Sequence, residues 1–306
     1  MKKFTAKLLL FAVMFLIYDK IFIIVANRSA DAEVDKRLEY LVRGEINKDI
    51  IVIGSSRGAR AIIAEQIEKE TTYSAYNLCY PGSNIEFQSF ILRTLLKFND
   101  HPNVVFLVVD DDTEFLYDST IIFRKDRLFP LVKYPYIREE LAMLNGKDKF
   151  ISRFLIIHRL NKANFDLRKK VYTPFDTIMN CGSMPVSWQA STKDRYFIAD
   201  EREYKADKEV NDYVNSYKEI IKTCTLKKIR LVVVFPPLSR NHSKSFENRI
   251  RELSYGDVSF YVYNTENKIY RNQDYYQNGG HLLRKGAVIF TNELVKYLNE
   301  LGLNKI

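Results

Sequence analysis

The sequence predicts an α/β fold built on a five-stranded parallel sheet, preceded by one helix that can cross a membrane. Short apolar runs rich in β-branched residues alternate with helical patterns over most of the chain. A basic N-terminal flank precedes an apolar run of membrane-spanning length. The 306 residues are 46% hydrophobic and 28% charged, which excludes wholesale disorder and a protein with many membrane spans.

The N-terminal segment, residues 1–27, is predicted to be a membrane anchor. Three lysines in the first seven residues precede an apolar run from Leu8 to Ala26, which only Tyr18-Asp19-Lys20 interrupts. A helix of this length spans about 28 Å, close to the thickness of a bilayer core. The positive flank places the N-terminus in the cytoplasm, so we expect a single pass through the cytoplasmic membrane with the main domain outside.

Two other interpretations of this segment stay open. Ala30-Asp31-Ala32 has the A-x-A form of a signal-peptide cleavage site, although it lies several residues beyond an apolar run that is long for a signal peptide. The run is also compatible with a buried core helix. Residues 28–47 are polar and charged, and we expect them to form a tether to a domain that comprises residues 48–306.

Strands and helices are expected to alternate from residue 48 onward. The strands are predicted at Asp49–Gly54, Tyr73–Leu78, Val104–Val109, Ile229–Phe235 and Ser259–Tyr263. The helices are predicted at Ala59–Glu70, Ile85–Lys97, Glu201–Lys227 and Arg284–Leu301. Continuously apolar strands suit a sheet that is covered by helices on both faces, so the predicted architecture is a three-layer α/β/α sandwich.

Each element has its own signal. The first strand contains the β-branched run Ile50-Ile51-Val52-Ile53, and the second strand is the weakest of the five. The helix from Ile85 places Phe87, Phe90 and Ile91 on one face. The fourth strand ends at Pro236-Pro237, and the last helix carries apolar residues at near-helical spacing.

Residues 111–200 interrupt this alternation and are predicted to be a largely helical insertion after the third strand. Such a long stretch without a clean strand is more typical of an insertion with its own short helices than of a bare loop. It would lie over the carboxyl ends of the strands, where open α/β sheets bind ligands. A packing role without a ligand is equally compatible with the sequence.

The first chemical motif is Gly54-Ser55-Ser56-Arg57-Gly58, which directly follows the first strand and opens a helix. A serine on such a turn can act as a nucleophile, because backbone amides and the helix dipole there favour a developing negative charge. The same residues can cradle a phosphate or simply cap the helix. The sequence lacks both glycine-rich nucleotide-binding patterns at this position.

A serine nucleophile needs a base, and the chain has four histidines. His281 follows the fifth strand and precedes the last helix, which places it at the same sheet edge as Ser56. His242 follows the fourth strand and is a second candidate. His101 lies at the opposite edge, and His158 lies in the insertion.

Three blocks of the sequence together resemble the SGNH/GDSL hydrolase superfamily. Gly54-Ser55-Ser56 is similar to the G-D-S block, whose third residue is the nucleophile. The stretch Tyr76–Asn84 is similar to the second block, in which Gly82 matches the glycine of the oxyanion hole. Asn278-Gly279-Gly280-His281-Leu282 is similar to the last block, usually D-x-x-H-L, in which His281 matches the base.

The resemblance is strongest to membrane-anchored members encoded among bacterial exopolysaccharide and capsule genes. It implies a flavodoxin-like SGNH fold and a serine esterase or O-acyltransferase that forms an acyl-enzyme on Ser56 with His281 as base. It implies an oxyanion hole formed by Ser56, Gly82 and Asn84, and no cofactor. The partners it implies are a polysaccharide or another acylated glycan, the membrane, and a membrane-bound protein that could donate the acyl group.

The sequence also departs from the family pattern. Asn278 stands where the family has the aspartate that supports the histidine, and Asp274 is an alternative support. Ser55 replaces the aspartate of the first block. Asp110-Asp111-Asp112 follows the third strand, where the family has an asparagine. We expect Arg57, Asp110 and Asp111 to contact substrate; the aspartates could otherwise form a solvated turn.

Three functions therefore stay open. The first is an SGNH-type esterase or O-acyltransferase that acts on a cell-surface polysaccharide. The second is a catalytically impaired SGNH-like module that binds glycan or partners during polysaccharide assembly. The third is an unrelated phosphate- or nucleotide-binding protein. The net charge of +9 is compatible with an acidic glycan, but no nucleic-acid motif and no metal-ligand spacing is present in the sequence.

Overall fold

The computed structural model describes residues 2–146, 151, 155–166, 168, 177–189, 197–199 and 203–302. The strands are β1 (Ile50–Gly54), β2 (Ala75–Asn77), β3 (Val104–Val108), β4 (Arg230–Phe235), β5 (Val258–Val262), β6 (Tyr276–Asn278) and β7 (His281–Leu282). The helices are α1 (Lys2–Ala32), α2 (Arg37–Val42), α3 (Ser56–Ala61), α4 (Ala64–Glu70), α5 (Ile85–Phe98), α6 (Lys125–Leu128), α7 (Pro135–Leu144), α8 (Asn211–Leu226), α9 (Lys244–Leu253) and α10 (Arg284–Glu300).

Five strands form an all-parallel sheet in the order β2-β1-β3-β4-β5, as the apolar runs predict. The register pairs Gly54 at the end of β1 with Val108 at the end of β3. The chain reverses its direction of winding between β1 and β3, and in open sheets the ligand crevice opens at such a point. The residues that follow these two strands therefore lie at the position where function is expected.

Helices cover both faces of this sheet. On one face Val52, Phe106 and Val232 pack in a cluster with apolar residues of α3, α4 and α10. On the other face α5 contacts β1 and α8 contacts β4, and the two helices contact each other. Burial on both sides explains why the residues of β1 and β3 are apolar without alternation.

The predicted helix Ala59–Glu70 is wrong in one respect, because the chain leaves the helix at Ile62 and Ile63. The side-chain amide of Asn77 donates to the carbonyls of Gly58 and Ile62 at 3.0 and 2.9 Å, which stabilises the break. Helix α9 was not predicted, although its N-cap Ser243 precedes apolar residues at helical spacing. The helix predicted from Glu201 is wrong in its start, because α8 begins only at Asn211; residues 206–208 form a 3-10 turn and Glu209 pairs with Leu116, while residues 201 and 202 lie outside the described residues.

The prediction of a polar tether at residues 28–47 is wrong. Helix α1 continues to Ala32, and α2 follows with Leu38 and Leu41 fully buried. Arg37 is buried as well, because its guanidinium forms a two-point ion pair with Asp35 at 2.7 and 2.8 Å. Asp35 and Arg37 thus neutralise each other inside the structure.

The chain divides into two compact units. The first comprises Met1–Glu39 and Arg124–Tyr172, and the second comprises Tyr40–Phe123 and Thr173–Ile306. The predicted insertion, residues 111–200, is therefore shared between the units, and its central part contains α6 and α7. The first unit also contains α1, which is long and apolar enough to span a membrane.

Candidate active site

The candidate site lies where β1 and β3 end, and two side chains meet there as predicted. The Ser56 hydroxyl, on the first residue of α3, lies 2.8 Å from Nε2 of His281. His281 begins β7, which pairs with β6 as a short antiparallel hairpin before α10. Residues separated by more than two hundred positions are thus brought within hydrogen-bond distance, as a nucleophile and its base require.

The orientation of the imidazole is determined by Asn278. The amide of Gly280 donates to Oδ1 of Asn278 at 3.0 Å, which identifies this atom as the carbonyl oxygen. The same Oδ1 lies 2.9 Å from Nδ1 of His281, so Nδ1 must carry the proton and donate it to Asn278. Nε2 is then free of a proton and accepts the hydrogen bond of Ser56, which is the tautomer of a general base.

The surroundings of His281 favour its neutral form. Burial of the ring lowers the pKa of His281 to about 3, and the positive charges of Arg60 and Arg57 act in the same direction. Arg60 is held beside the site by a hydrogen bond to the side-chain oxygen of Gln277. The imidazole is therefore unprotonated throughout the neutral pH range, and its cationic form is poorly stabilised.

Replacing Arg60 with glutamine should raise the pKa of His281, because one nearby positive charge is removed. We expect NMR titration of ¹⁵N-histidine-labelled protein to place the His281 transition at higher pH in Arg60→Gln than in the wild type, with the resonance assigned from its absence in His281→Ala. Lys69→Gln is a matched control, since it removes one positive charge from a lysine that forms an exposed ion pair with Glu65. Equal titration of both variants would contradict a role for Arg60.

Ser55 connects the helix that carries Ser56 to the residues that follow β3. Its hydroxyl donates to Oδ1 of Asp110 at 2.5 Å and accepts the amide of Arg57 at 3.3 Å, which caps α3. Gly58 allows this helix to lie close to the end of β2, because a Cβ there would approach within 2.5 Å of the Cys79 sulfur. Ser56 is therefore presented on a helix that is anchored on two sides.

Asp110 belongs to a buried acidic pair and not to a solvated turn. Its amide donates to the carboxyl of Glu114, and both side chains are almost fully buried. Burial, together with the neighbouring charge of Asp110, raises the pKa of Glu114 to about 8. Burial raises the pKa of Asp110 as well, although Arg57 and Ser55 oppose this shift. The pair thus retains a proton at neutral pH.

This pair should make the second unit less stable as pH rises. Between the ordinary pKa of 4.5 for glutamate and about 8, folded Glu114 keeps a proton that the unfolded chain has released. The free energy of unfolding should therefore fall by up to about 1.4 kcal/mol per pH unit in this window. The free energy of unfolding is measured by urea denaturation of full-length protein in detergent at pH 5 and pH 8. Its difference between the two pH values should be smaller for Glu114→Gln than for wild type. Glu252→Gln, which alters an exposed glutamate, should show the same pH dependence as the wild type. If Glu114→Gln also shows the wild-type pH dependence, Glu114 is not the group that retains the proton.

The predicted oxyanion-hole residues are only partly brought together. The loop before α5 lies against the end of β1, because the amide of Tyr80 and the hydroxyl of Ser83 both donate to the carbonyl of Gly54. Gly82 has φ +72° in this loop, a conformation that favours glycine. The side chain of Asn84, by contrast, caps α5 by accepting the amide of Phe87 at Oδ1, and its Nδ2 donates to Glu86 at 2.9 Å, so this donor is directed away from an oxyanion.

The predicted substrate contacts also differ in their surroundings. Asp110 is occupied by Ser55 and is not accessible to a ligand. Arg57 and Asp111 line a small cavity beside the site, together with Arg240 and His242. Nη1 of Arg240 lies 3.5 Å from Oδ2 of Asp111. Arg57 and Asp111 therefore remain candidates for substrate binding, whereas Asp110 has a structural role.

The alternative assignments of base and support do not match the geometry. Asp274 is exposed, and its carbonyl accepts the side chain of Gln189, while Asn278 occupies the position beside His281. His242 is paired with Glu247 at 2.7 Å. Sequence reasoning did not identify Arg60, which lies on α3 with Ser56, or Glu114, which lies beyond the end of β3.

The chain matches no known protein-family model, and no curated protein is significantly similar to it. The function of the site must therefore be argued from its geometry.

Proposed function

We propose that this protein is an SGNH-type serine esterase or O-acyltransferase that acts on an acylated cell-surface polysaccharide. The single observation that carries the proposal is the connected row Ser56–His281–Asn278, with the proton on the far nitrogen of the imidazole. The sheet order and the helices on both faces support a flavodoxin-like three-layer SGNH sandwich. The stretches around Ser56, Gly82 and His281, which resemble the three family blocks, lie at one edge of this sheet, and this supports the proposal.

In the proposed reaction Ser56 Oγ attacks the carbonyl carbon of an ester, and its proton passes to Nε2 of His281. The backbone amides of Ser56 and Gly82 would stabilise the tetrahedral oxyanion. Collapse of this intermediate releases the alcohol, which takes the proton from Nε2, and leaves the acyl group on Ser56. Water then completes hydrolysis, whereas a sugar hydroxyl completes transfer.

The proposed place of reaction is the outer surface of the cytoplasmic membrane. Helix α1 would be a single-pass anchor, and the lysines before it would keep the N-terminus inside. A polysaccharide passing through the cell envelope is then the substrate within reach. A membrane-bound acyl donor is the partner that transfer would require.

A fluorophosphonate probe tests the proposal directly, since it forms a stable adduct only with an activated serine. Full-length protein is treated with the probe, digested and mapped by peptide mass spectrometry. We expect the adduct on Ser56 and none on the adjacent Ser55, whose hydroxyl is directed to Asp110. A folded protein that forms no adduct would favour the alternative, a catalytically impaired module that binds glycan or assembly partners.

A further inference from the structure

Asp19 is a charged residue within the apolar part of α1, and protein covers it. Its carboxylate accepts the backbone amides of Ile156 and Ile157, each at 2.9 Å, and Lys20 at 3.3 Å. Only 1% of Asp19 is exposed, whereas the apolar residues around it on α1 are mostly exposed. An ionisable residue inside a membrane span normally faces protein and has a partner there. For α1 that partner is the segment 155–166.

The contacts along α1 show beside which part of the apolar run the segment 155–166 lies. Asp19 lies seven residues before Ala26, about 10 Å inside the apolar run at the helical rise. Further along, the ring of Phe165 packs edge-on against Phe22, with centroids 6.3 Å apart. Asn164 donates to the hydroxyl of Ser29 at 3.2 Å, beyond the end of the apolar run. The segment therefore starts at the level of Asp19 and rises along α1 to its polar end.

Four backbone amides at the start of the segment have acceptors within the protein. Amides within a bilayer must be satisfied by protein, because no water is available there. The amide of Leu155 donates to the carbonyl of Ile151, those of Ile156 and Ile157 donate to Asp19, and that of Leu160 donates to Ile157.

Apolar side chains are exposed just before the segment and within it, and its exposed polar residues, Asn161, Lys162 and Asp166, lie toward its polar end. Ile151, Ile157 and Phe165 are 41%, 46% and 53% exposed, and they continue the apolar surface of α1.

We propose that residues 155–160 dip into the half of the bilayer nearer the Ala26 end of α1 and that the chain returns to the polar end of α1 through residues 161–166, so that a helix and a re-entrant segment both contact lipid. The occupant of the exposed apolar surface is lipid acyl chains, because this surface is continuous with the apolar face of α1. Asp19 holds the segment in place by accepting two of its amides. The proposal rests on the membrane anchor in the proposed function, but it is independent of the acyl-transfer chemistry.

Site-directed fluorescence tests the depth of the segment. Single cysteines at Ile157, Ile17 and Lys162 of the full chain are labelled with NBD and reconstituted in phosphatidylcholine vesicles. Wild type gives the labelling background, since its three cysteines are buried. Lipids spin-labelled on the acyl chain report membrane depth, and iodide reports exposure to water. Ile17 is the lipid-facing control on α1, and Lys162 is the matched control at the polar end of the same segment.

We expect the probes at Ile157 and Ile17 to be quenched several-fold more by spin-labelled lipid than the probe at Lys162, with the reverse order for iodide. If Ile17 is quenched by lipid while Ile157 behaves like Lys162, the segment lies outside the bilayer and the inference is wrong, but the anchor stands. If Ile17 is not quenched by lipid, the anchor itself is wrong and the inference fails with it.

A second variant tests the role of Asp19. Asp19→Leu removes the acceptor for the two amides and leaves α1 more apolar. With NBD at position 157, lipid quenching should fall and iodide quenching should rise, while a probe at Ile17 stays at its depth. An unchanged depth at position 157 would overturn the assignment of Asp19 as the residue that holds the segment.

Discussion

Replacing Ser56 with alanine should lower kcat/KM for an activated aryl acetate by about 10³-fold or more, because the acyl-enzyme cannot form. His281→Ala should cause a loss of similar size, since Ser56 then has no group to accept its proton at 2.8 Å. The double variant should be no slower than either single variant, because the two side chains act in one step. Initial rates of aryl acetate hydrolysis measure all three.

His101→Gln is the control for these losses. It removes an exposed histidine that lies just before β3, at the edge of the sheet opposite the site. We expect turnover within a few-fold of the wild type, with folding verified by circular dichroism. Turnover that survives in a folded Ser56→Ala variant would show that the chemistry lies elsewhere.

Much of the sheet and the main pair of the site could be predicted from the sequence. The strands are short and buried on both faces, so their apolar runs are continuous and their positions are unambiguous. Ser56 and His281 could be paired because each follows a strand at the same sheet edge. Position in the topology, and not either residue alone, made this prediction possible.

The remainder depends on contacts that no local pattern encodes. The break at Ile62 is stabilised by the amide of Asn77 from another element. Arg60 lowers the pKa of His281, although the two residues lie far apart in the sequence. Glu114 contacts Asp110 only because the chain turns after β3. The burial of Arg37 could not be inferred from a charged stretch, because it depends on the ion pair with Asp35. The charge of such residues predicts exposure to solvent, but an ion pair formed in the folded protein allows them to be buried.

Asn278→Asp should increase the activity of the site. In the wild type a neutral amide orients His281, but it stabilises the imidazolium less than a carboxylate would. An aspartate at position 278 could accept the same hydrogens, from Nδ1 of His281 and from the amide of Gly280. Its negative charge would raise the pKa of His281 and stabilise the cation formed when Ser56 attacks. We expect a gain of about tenfold in kcat/KM for aryl acetate near pH 8.

The pH profile distinguishes this effect from a general improvement. His281 has a pKa of about 3 in the wild type, so the base stays unprotonated and kcat/KM should hold as pH falls until well below pH 5. In Asn278→Asp the raised pKa should move this acidic limb to higher pH, so the gain shrinks as pH falls. Asn278→Ala should lose activity at every pH, because the imidazole is no longer oriented. A folded Asn278→Asp variant that has lower activity and the same acidic limb as the wild type would mean that residue 278 does not act through His281. The proposed role of Asn278 would then be wrong.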